Sequence, residues 1–364
     1  MGLKIGILGL PNVGKSSLFN AITKASVASE NYPFCTIEPN SGVVPIPDPR
    51  LAVLQDINQS EKVIAATIEF VDIAGLVKGA AKGEGLGNKF LSHVSGASAL
   101  AHVVRCFDHD KVVHVYGRVD PIADIEIINY ELLLADLAMI QSMLETLSKK
   151  IKANQKDDKE RYAFFQRLET TLADSVPLRS LSFTEKEIEM LQGVSLLTLK
   201  KVIYVANISE DLLGKSNSYV DRVRDYAAKE DAEVVELCVE FEEQLSGLDQ
   251  SDQSEILAQY GLQKSGLDRL SLASFSLLNL QTFLTSGPKE THAWTIPVGC
   301  QAPSAAGVIH SDFEKGFIRA NVVSYREYVE CGGVKGAKEK GVMRQEGKDY
   351  VVEDGDVIEF LFNV

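Results

Sequence analysis

The sequence predicts an α/β protein built on a parallel sheet with crossover helices, interrupted by a long helical segment and completed by a mostly β region. Three observations carry this. A glycine-rich loop, Gly9 to Ser16, joins a short apolar run to an apolar helical pattern. Further apolar runs of strand length follow, alternating with helical patterns. Between the third and fourth runs of that series lies a gap too long for one crossover helix, and it carries helical apolar periodicity.

The first run, Leu3 to Leu8, reads as a buried strand, not as a signal segment. The loop after it has the form G-x-x-x-x-G-K-[ST]. Its glycines allow consecutive N–H groups to face one anion, and the helix opened by Ser17, Leu18, Phe19, Ala21 and Ile22 adds its positive end. Asn12, Val13, Gly14, Lys15, Ser16 and Ser17 are thereby the expected phosphate-binding run. Lys15 would neutralise the outer phosphates, and the Ser16 hydroxyl would ligate Mg²⁺. A nucleoside triphosphate is the ligand this implies. Ile68 to Asp72, Ala99 to Phe107, Val202 to Asn207 and Glu233 to Cys238 are the next core strands. Their carboxyl ends would share one edge, where open α/β sheets bind ligands.

In the long gap, Ile125 to Ile151 places Ile128, Leu132, Leu133, Leu137, Ile140, Leu144 and Leu147 on a helical stripe. Lys156 to Leu172 resumes after a polar break at Ala153 to Asp158, so a long antiparallel helical hairpin is expected. Lys149, Lys150, Lys152, Lys156, Lys159, Arg161 and Arg167 make its tip basic. Gly287-Pro288 is read as a boundary. Beyond it, Trp294 to Pro297, Phe317 to Val323, Tyr350 to Val352 and Val357 to Phe362 are short strand candidates. Lys335, Lys338, Lys340, Arg344 and Lys348 cluster in the last loop and its neighbouring helix.

The chain has 364 residues, enough for two or three domains, with 45% apolar and 24% charged residues, as in soluble globular proteins. A net charge of −14 argues against unspecific adhesion to nucleic acid or anionic membrane, but permits local basic patches. No membrane-spanning run is expected. Five scattered cysteines without C-x-x-C spacing suggest neither a disulfide framework nor a zinc site, so a reducing cytoplasm is expected.

Asp72-Ile-Ala-Gly75 narrows the class. An aspartate at a strand end can hold a Mg²⁺-bound water while the Gly75 N–H senses a γ-phosphate. Thr36, in Tyr32-Pro-Phe-Cys-Thr36, offers a hydroxyl that completes the Mg²⁺ shell when its loop closes. No kinase signature set is present.

These motifs resemble a known lineage. G-L-P-N-V-G-K-S, N-Y-P-F-C-T, F-V-D-I-A-G-L-V-K-G-A and G-E-G-L-G-N are similar to the Obg-related translation-factor GTPases. The helical insert, N-I-S-E at Asn207 to Glu210, and the C-terminal W-T-I-P-V-G, H-S-D-F-E-K-G-F-I-R-A and D-G-D-V-I-E-F resemble the YchF subfamily, the Obg-like ATPases, over essentially the whole chain. The resemblance implies a P-loop NTPase G domain at residues 1–277, with an inserted helical coiled-coil hairpin at about 124–198. It implies a C-terminal β-grasp (TGS) domain at residues 278–364. It also implies ATPase activity and ribosome binding, the large subunit first, through ribosomal RNA or protein.

Two departures from ordinary GTPases have chemical consequences. The base-reading motif N-K-x-D is replaced by Asn207-Ile208-Ser209-Glu210. The longer carboxylate of Glu210 would press on the purine edge, and adenine lacks the N2 donors that would reward it, so ATP is expected over GTP. Leu76 stands where many switch GTPases carry a water-orienting Gln, and it has no polar group for that task. By resemblance to the family, His114 is the residue expected to hold the water or take its proton. His102, in an apolar strand, is expected to be structural. Asn12 goes, in GTPases with a similar loop, with a K⁺ ion near the phosphates. The leading expectation is an ATP- and Mg²⁺-controlled switch on the ribosome. Charge reversal at Lys338, Lys340 and Arg344 is expected to weaken that binding. The alternatives are a GTPase switch of the same lineage and a nucleic-acid-binding module regulated by nucleotide, with direct RNA binding.

Overall fold

The computed structural model describes residues 4–28, 40–73, 86–109, 114, 115, 117–151 and 156–363. Its strands, in chain order, are β1 (Lys4–Leu8), β2 (Ser41–Pro45), β3 (Lys62–Ile64), β4 (Thr67–Asp72), β5 (Ala99–Arg105) and β6 (Val202–Asn207). They continue with β7 (Glu233–Leu237), β8 (Leu280–Ser286), β9 (Glu290–Pro297), β10 (Phe317–Ser324), β11 (Arg344–Glu346) and β12 (Asp356–Phe362). They form two six-stranded sheets, ordered β2-β4-β1-β5-β6-β7 and β11-β10-β12-β8-β9-β3. The contacts divide the described chain into two compact units, one holding residues 4–24 and most of Glu69–Leu267, the other holding Val43–Ile68 and residues 268–363.

In the first unit, β4, β1, β5, β6 and β7 run parallel. Every residue of β5 and β6 is buried, as befits strands covered on both faces. The order reverses at β1, which lies between β4 and β5, and register aligns Ile7 with Asp72 and Arg105 with Asn207. Asp72, the loop after Leu8, Arg105 and Asn207 therefore meet at one carboxyl edge, at the reversal point where such sheets bind ligands.

The inserted helices span Pro121–Ile151 and Lys156–Ala173. Leu133, Ile140, Leu144 and Leu147 pack with Phe164, Phe165, Leu168 and Leu172 in one core. Burying each such side chain contributes about 1.5–3 kcal/mol. Two of the basic residues expected at the tip serve this seam instead: Arg161 lies 5.7 Å from the Phe165 ring, and Arg167 lies 5.5 Å from Phe164 and pairs with Glu187. Contrary to the expectation of no spanning run, Pro121–Lys149 is long and apolar enough by length and composition to cross a bilayer. That stretch also carries buried Asp124, Asn129, Glu131 and Asp136, and Asp136 accepts the Leu197 and Thr198 N–H groups. Its apolarity serves a protein core.

The second unit departs from the division expected at residue 277. The Arg50–Asn58 helix and β3 belong with the C-terminal strands, because β3 adds in parallel to β9 through Lys62↔Glu290, Val63↔Thr291 and Ile64↔His292. Ser60 Oγ donates to the Gly287 carbonyl, and Arg50 pairs with Asp354. Gly287-Pro288, expected to be a boundary, is the turn of the β8–β9 hairpin, closed by Gly287 N–H donating to Glu290 O at 3.0 Å. Tyr350 to Val352, expected to be a strand, contributes only an isolated bridge between Val351 and Gln301. Helices Ala302–Ile309 and Ser311–Lys315 supply apolar groups to a core with Phe283, Ile296, Ala320, Val322 and Ile358.

Candidate nucleotide site

The loop after β1 is shaped by three left-handed residues. Gly9 has φ +152°, and a side chain there would meet the Val103 carbonyl. Gly14 has φ +106°, with no room for a Cβ beside Asn207 Nδ2. Asn12, at φ +62°, is of a type that tolerates this region. The helix then opens with Leu18 N–H donating to Gly14 O. Lys15 is only 8% exposed and donates to Leu10 O at 2.6 Å. Burial lowers its pKa to about 8, against the pull of Asp72. At the end of β4, burial raises the half-buried Asp72 carboxyl above the usual range, opposed by Lys15 and then His93.

A cavity of about 300 Å³ opens here, lined by Asn12, Gly14, Lys15, Ser16, Ser17, Asn207 and Ile208 among the expected residues. Val13 contributes its carbonyl, which accepts from Asn207 Nδ2 at 2.9 Å. Asn207 Oδ1 accepts from Val239 N–H, so this buried side chain ties the phosphate loop to the start of the Val239–Leu245 helix. Glu210 does not line the cavity. It is exposed, and Tyr260 Oη donates to its carboxylate at 2.6 Å.

Sequence reasoning missed Phe107, His109, Ser209, Val239 and Glu240, which also line the cavity. The first two are set by Arg105, whose buried guanidinium donates to Phe107 O and His109 O and lies 4.8 Å from the Phe107 ring. The one available signal was an arginine at the end of an otherwise apolar strand. His102 is structural in its setting: it is buried beside Tyr204, and burial holds its pKa down to about 3.

His114 is not among the lining residues. Its Nε2 lies 2.9 Å from Asp124 Oδ2, and both side chains are buried. Asp124 sits in the first turn of the Pro121–Ile151 helix, and burial raises its pKa against the effect of His114. Thr36, Gly75 and Leu76 lie outside the described residues. The four described cysteines, Cys106, Cys238, Cys300 and Cys331, form no disulfide.

Among the described residues no three His, Cys, Asp or Glu side chains gather as a metal cluster. Ser16 and Asp72 suit a different donor set, in which Mg²⁺ takes one or two protein oxygens and completes its shell with water and phosphate.

A glycine-rich loop between a parallel strand and a helix, with a buried lysine facing a strand-end aspartate, defines a phosphate-loop nucleotide-binding domain of the GTPase type. Residues 4–140 match the family model described as 50S ribosome-binding GTPase, and residues 280–363 match YchF-GTPase_C, described as a protein of unknown function. The ribosome-binding ATPases YchF of Escherichia coli O157:H7 and Bacillus subtilis are 51% and 50% identical to the chain, with all of each sequence covered. The YchF GTPase of Schizosaccharomyces pombe has the same fold, with a TM-score of 0.90 at 37% identity over 99% of this chain and 98% of that one. The chain belongs to the YchF family.

Proposed function

We infer that the protein is a ribosome-binding ATPase, hydrolysing ATP to ADP and phosphate at the Gly9–Ser16 loop and using the nucleotide as a switch. The observation that supports this most directly is Lys15, buried at a helix start with Asp72 near enough to shift its pKa. A triphosphate would draw the Lys15 ammonium from the Leu10 carbonyl, while N–H groups of the loop hold the phosphate oxygens. Ser16, Asp72 and Thr36 would hold Mg²⁺, which would supply charge neutralisation at the outer phosphates. Gly75 senses the γ-phosphate, and Asn12 offers a place for K⁺. His114 acts on the attacking water, in place of the polar group that Leu76 lacks. The protein works in the cytoplasm.

The base pocket favours adenine for a reason the motif alone did not give. Guanine would offer its N1 and N2 donors to a pocket whose expected carboxylate, Glu210, is engaged by Tyr260. Ile208, in place of the usual lysine, lines the cavity with an apolar group. Competition titrations should therefore show ATP bound about tenfold or more tightly than GTP. Tyr260→Phe releases Glu210 and should move that ratio toward GTP by about threefold. Equal affinities for the two purines in the parent protein would overturn the reading and favour a GTPase switch.

The C-terminal basic cluster is the contact surface for the large ribosomal subunit, through RNA or protein. The expected trio of Lys338, Lys340 and Arg344 needs revision. Arg344 donates to Tyr350 Oη and lies 3.6 Å from the buried Asp356 carboxylate, and Lys340 donates to Glu330 O. Reversing these two would disturb the unit itself. Lys335, Lys338 and Lys348 are exposed. Changing these three to Glu should weaken ribosome co-sedimentation at moderate salt and flatten its salt dependence, with ATP affinity unchanged. Undiminished co-sedimentation would remove this surface from the interface.

A further inference from the structure

The second unit holds a cavity of about 690 Å³, more than twice the size of the one at the phosphate loop and independent of it. It opens in the C-terminal sheet. Strands β12 and β8 are in register at Val357 and Leu284, and the cavity lies beyond this pair, lined by Thr285 and Ser286 of one strand and Glu359 and Phe360 of the other. Its lining is largely apolar and aromatic, and includes Trp294, Phe313, Phe360, Val323, Tyr328 and Met343. This size and lining are those of small-molecule sites, which add a few placed polar groups to an apolar body.

Two carboxylates and an amide are among the polar groups of the lining. Asn321 lines the cavity and is 9% exposed, and its Nδ2 donates to Glu359 Oε2 at 2.9 Å. That bond uses the amide nitrogen, and among the described residues the buried Oδ1 has no hydrogen-bond partner. A buried acceptor left unpaired is costly, so turning the Asn321 amide toward a ligand donor in the cavity would recover that cost. Glu359 and Glu290 both line the cavity, and Lys289 is the one basic group among the described lining residues, so the local charge favours a cation. A carboxylate beside an amide oxygen matches two adjacent N–H donors on a planar group.

We propose that this cavity binds a small organic cation with an apolar or aromatic body and a planar amidinium- or guanidinium-like head. The head would pair with Glu359 and Asn321, and the body would fill the apolar part of the cavity, whose lining includes Trp294. Trp294 is the only tryptophan in the chain, so its fluorescence reports on this wall alone.

The test uses the full-length protein in excess Mg-ATP, with benzamidine, benzamide and benzoate as probes of nearly equal shape. Benzamidine is expected to change Trp294 fluorescence saturably in the millimolar range or below, with benzamide at least fivefold weaker and benzoate inactive. Glu359→Gln should weaken benzamidine at least fivefold. Val334→Phe, at the exposed rim, should do the same by narrowing the mouth. A response that never saturates, equal affinity for benzoate, or unchanged affinity in both variants would overturn the proposal. A peptide or RNA that competes with benzamidine only in the Val334→Phe-sensitive manner, while benzoate binds as well as benzamidine, would place a macromolecule there instead and likewise overturn it.

Discussion

Replacing Lys15 by alanine is expected to lower ATP affinity about a hundredfold or more, with the fold intact. A buried charged donor that loses its role in a complex typically costs about 2–5 kcal/mol, and each 1.4 kcal/mol is a factor of ten. Lys15 also predicts a pH signature. Without nucleotide its pKa is about 8, because burial disfavours the ammonium. The unfolded chain keeps its lysine protonated to higher pH than the folded chain does. Between the two pKa values the unfolded state therefore binds more protons, and stability without nucleotide rises with pH in that window. Below pH 8 both states hold the proton and the contribution is constant. Nucleotide binding has the opposite sign. Phosphates favour the charged lysine, so above pH 8 binding must take up a proton. Affinity should be about tenfold weaker at pH 9 than at pH 7.5. Lys15→Arg keeps a charge at all these pH values and should lose that slope. Isothermal titration at several pH values checks both parts, and a pH-independent affinity in the parent protein would show that Lys15 does not engage the phosphates.

The parallel sheet was legible because its central strands are continuous apolar runs: β5 and β6 are buried throughout and need no alternation to be recognised. The phosphate loop was legible because each of its residue types has a single geometric task. Less visible were features made by pairing distant segments. β3 has three residues, with Lys62 exposed, and only its partnership with β9, more than two hundred residues on, assigns it to the C-terminal unit. Glu210 reads as a base contact until Tyr260 takes its carboxylate. Arg344 reads as part of a basic patch until Tyr350 and Asp356 claim it. Composition registers a charge but not the group that has already satisfied it.

The same limit applies to His114, whose partner determines what can be expected of it. Asp124 lies ten residues on, at the start of the inserted hairpin, and its carboxylate sits 2.9 Å from His114 Nε2 with both groups buried. The carboxylate accepts from Nε2–H, which holds the other ring nitrogen, Nδ1, without the proton. If His114 acts on the attacking water, Asp124 fixes the ring and its tautomer. Asp124→Ala should then lower kcat by at least about tenfold, while KM for ATP stays within about threefold, because neither residue lines the nucleotide cavity. His114→Ala should fall by a similar factor, and the double variant no further, since two residues acting as one unit are not additive. Asp124→Asn keeps an acceptor oxygen without the charge, so it should recover part of the rate lost in Asp124→Ala. A purely structural pair behaves differently. Losing one partner of a buried hydrogen bond would destabilise the protein by about 1–3 kcal/mol in urea and leave the kcat of the folded enzyme intact. Rate and stability measured together on the three variants separate these outcomes. A loss confined to stability would take His114 out of the reaction and leave it, with Asp124, as the clasp at the root of the hairpin.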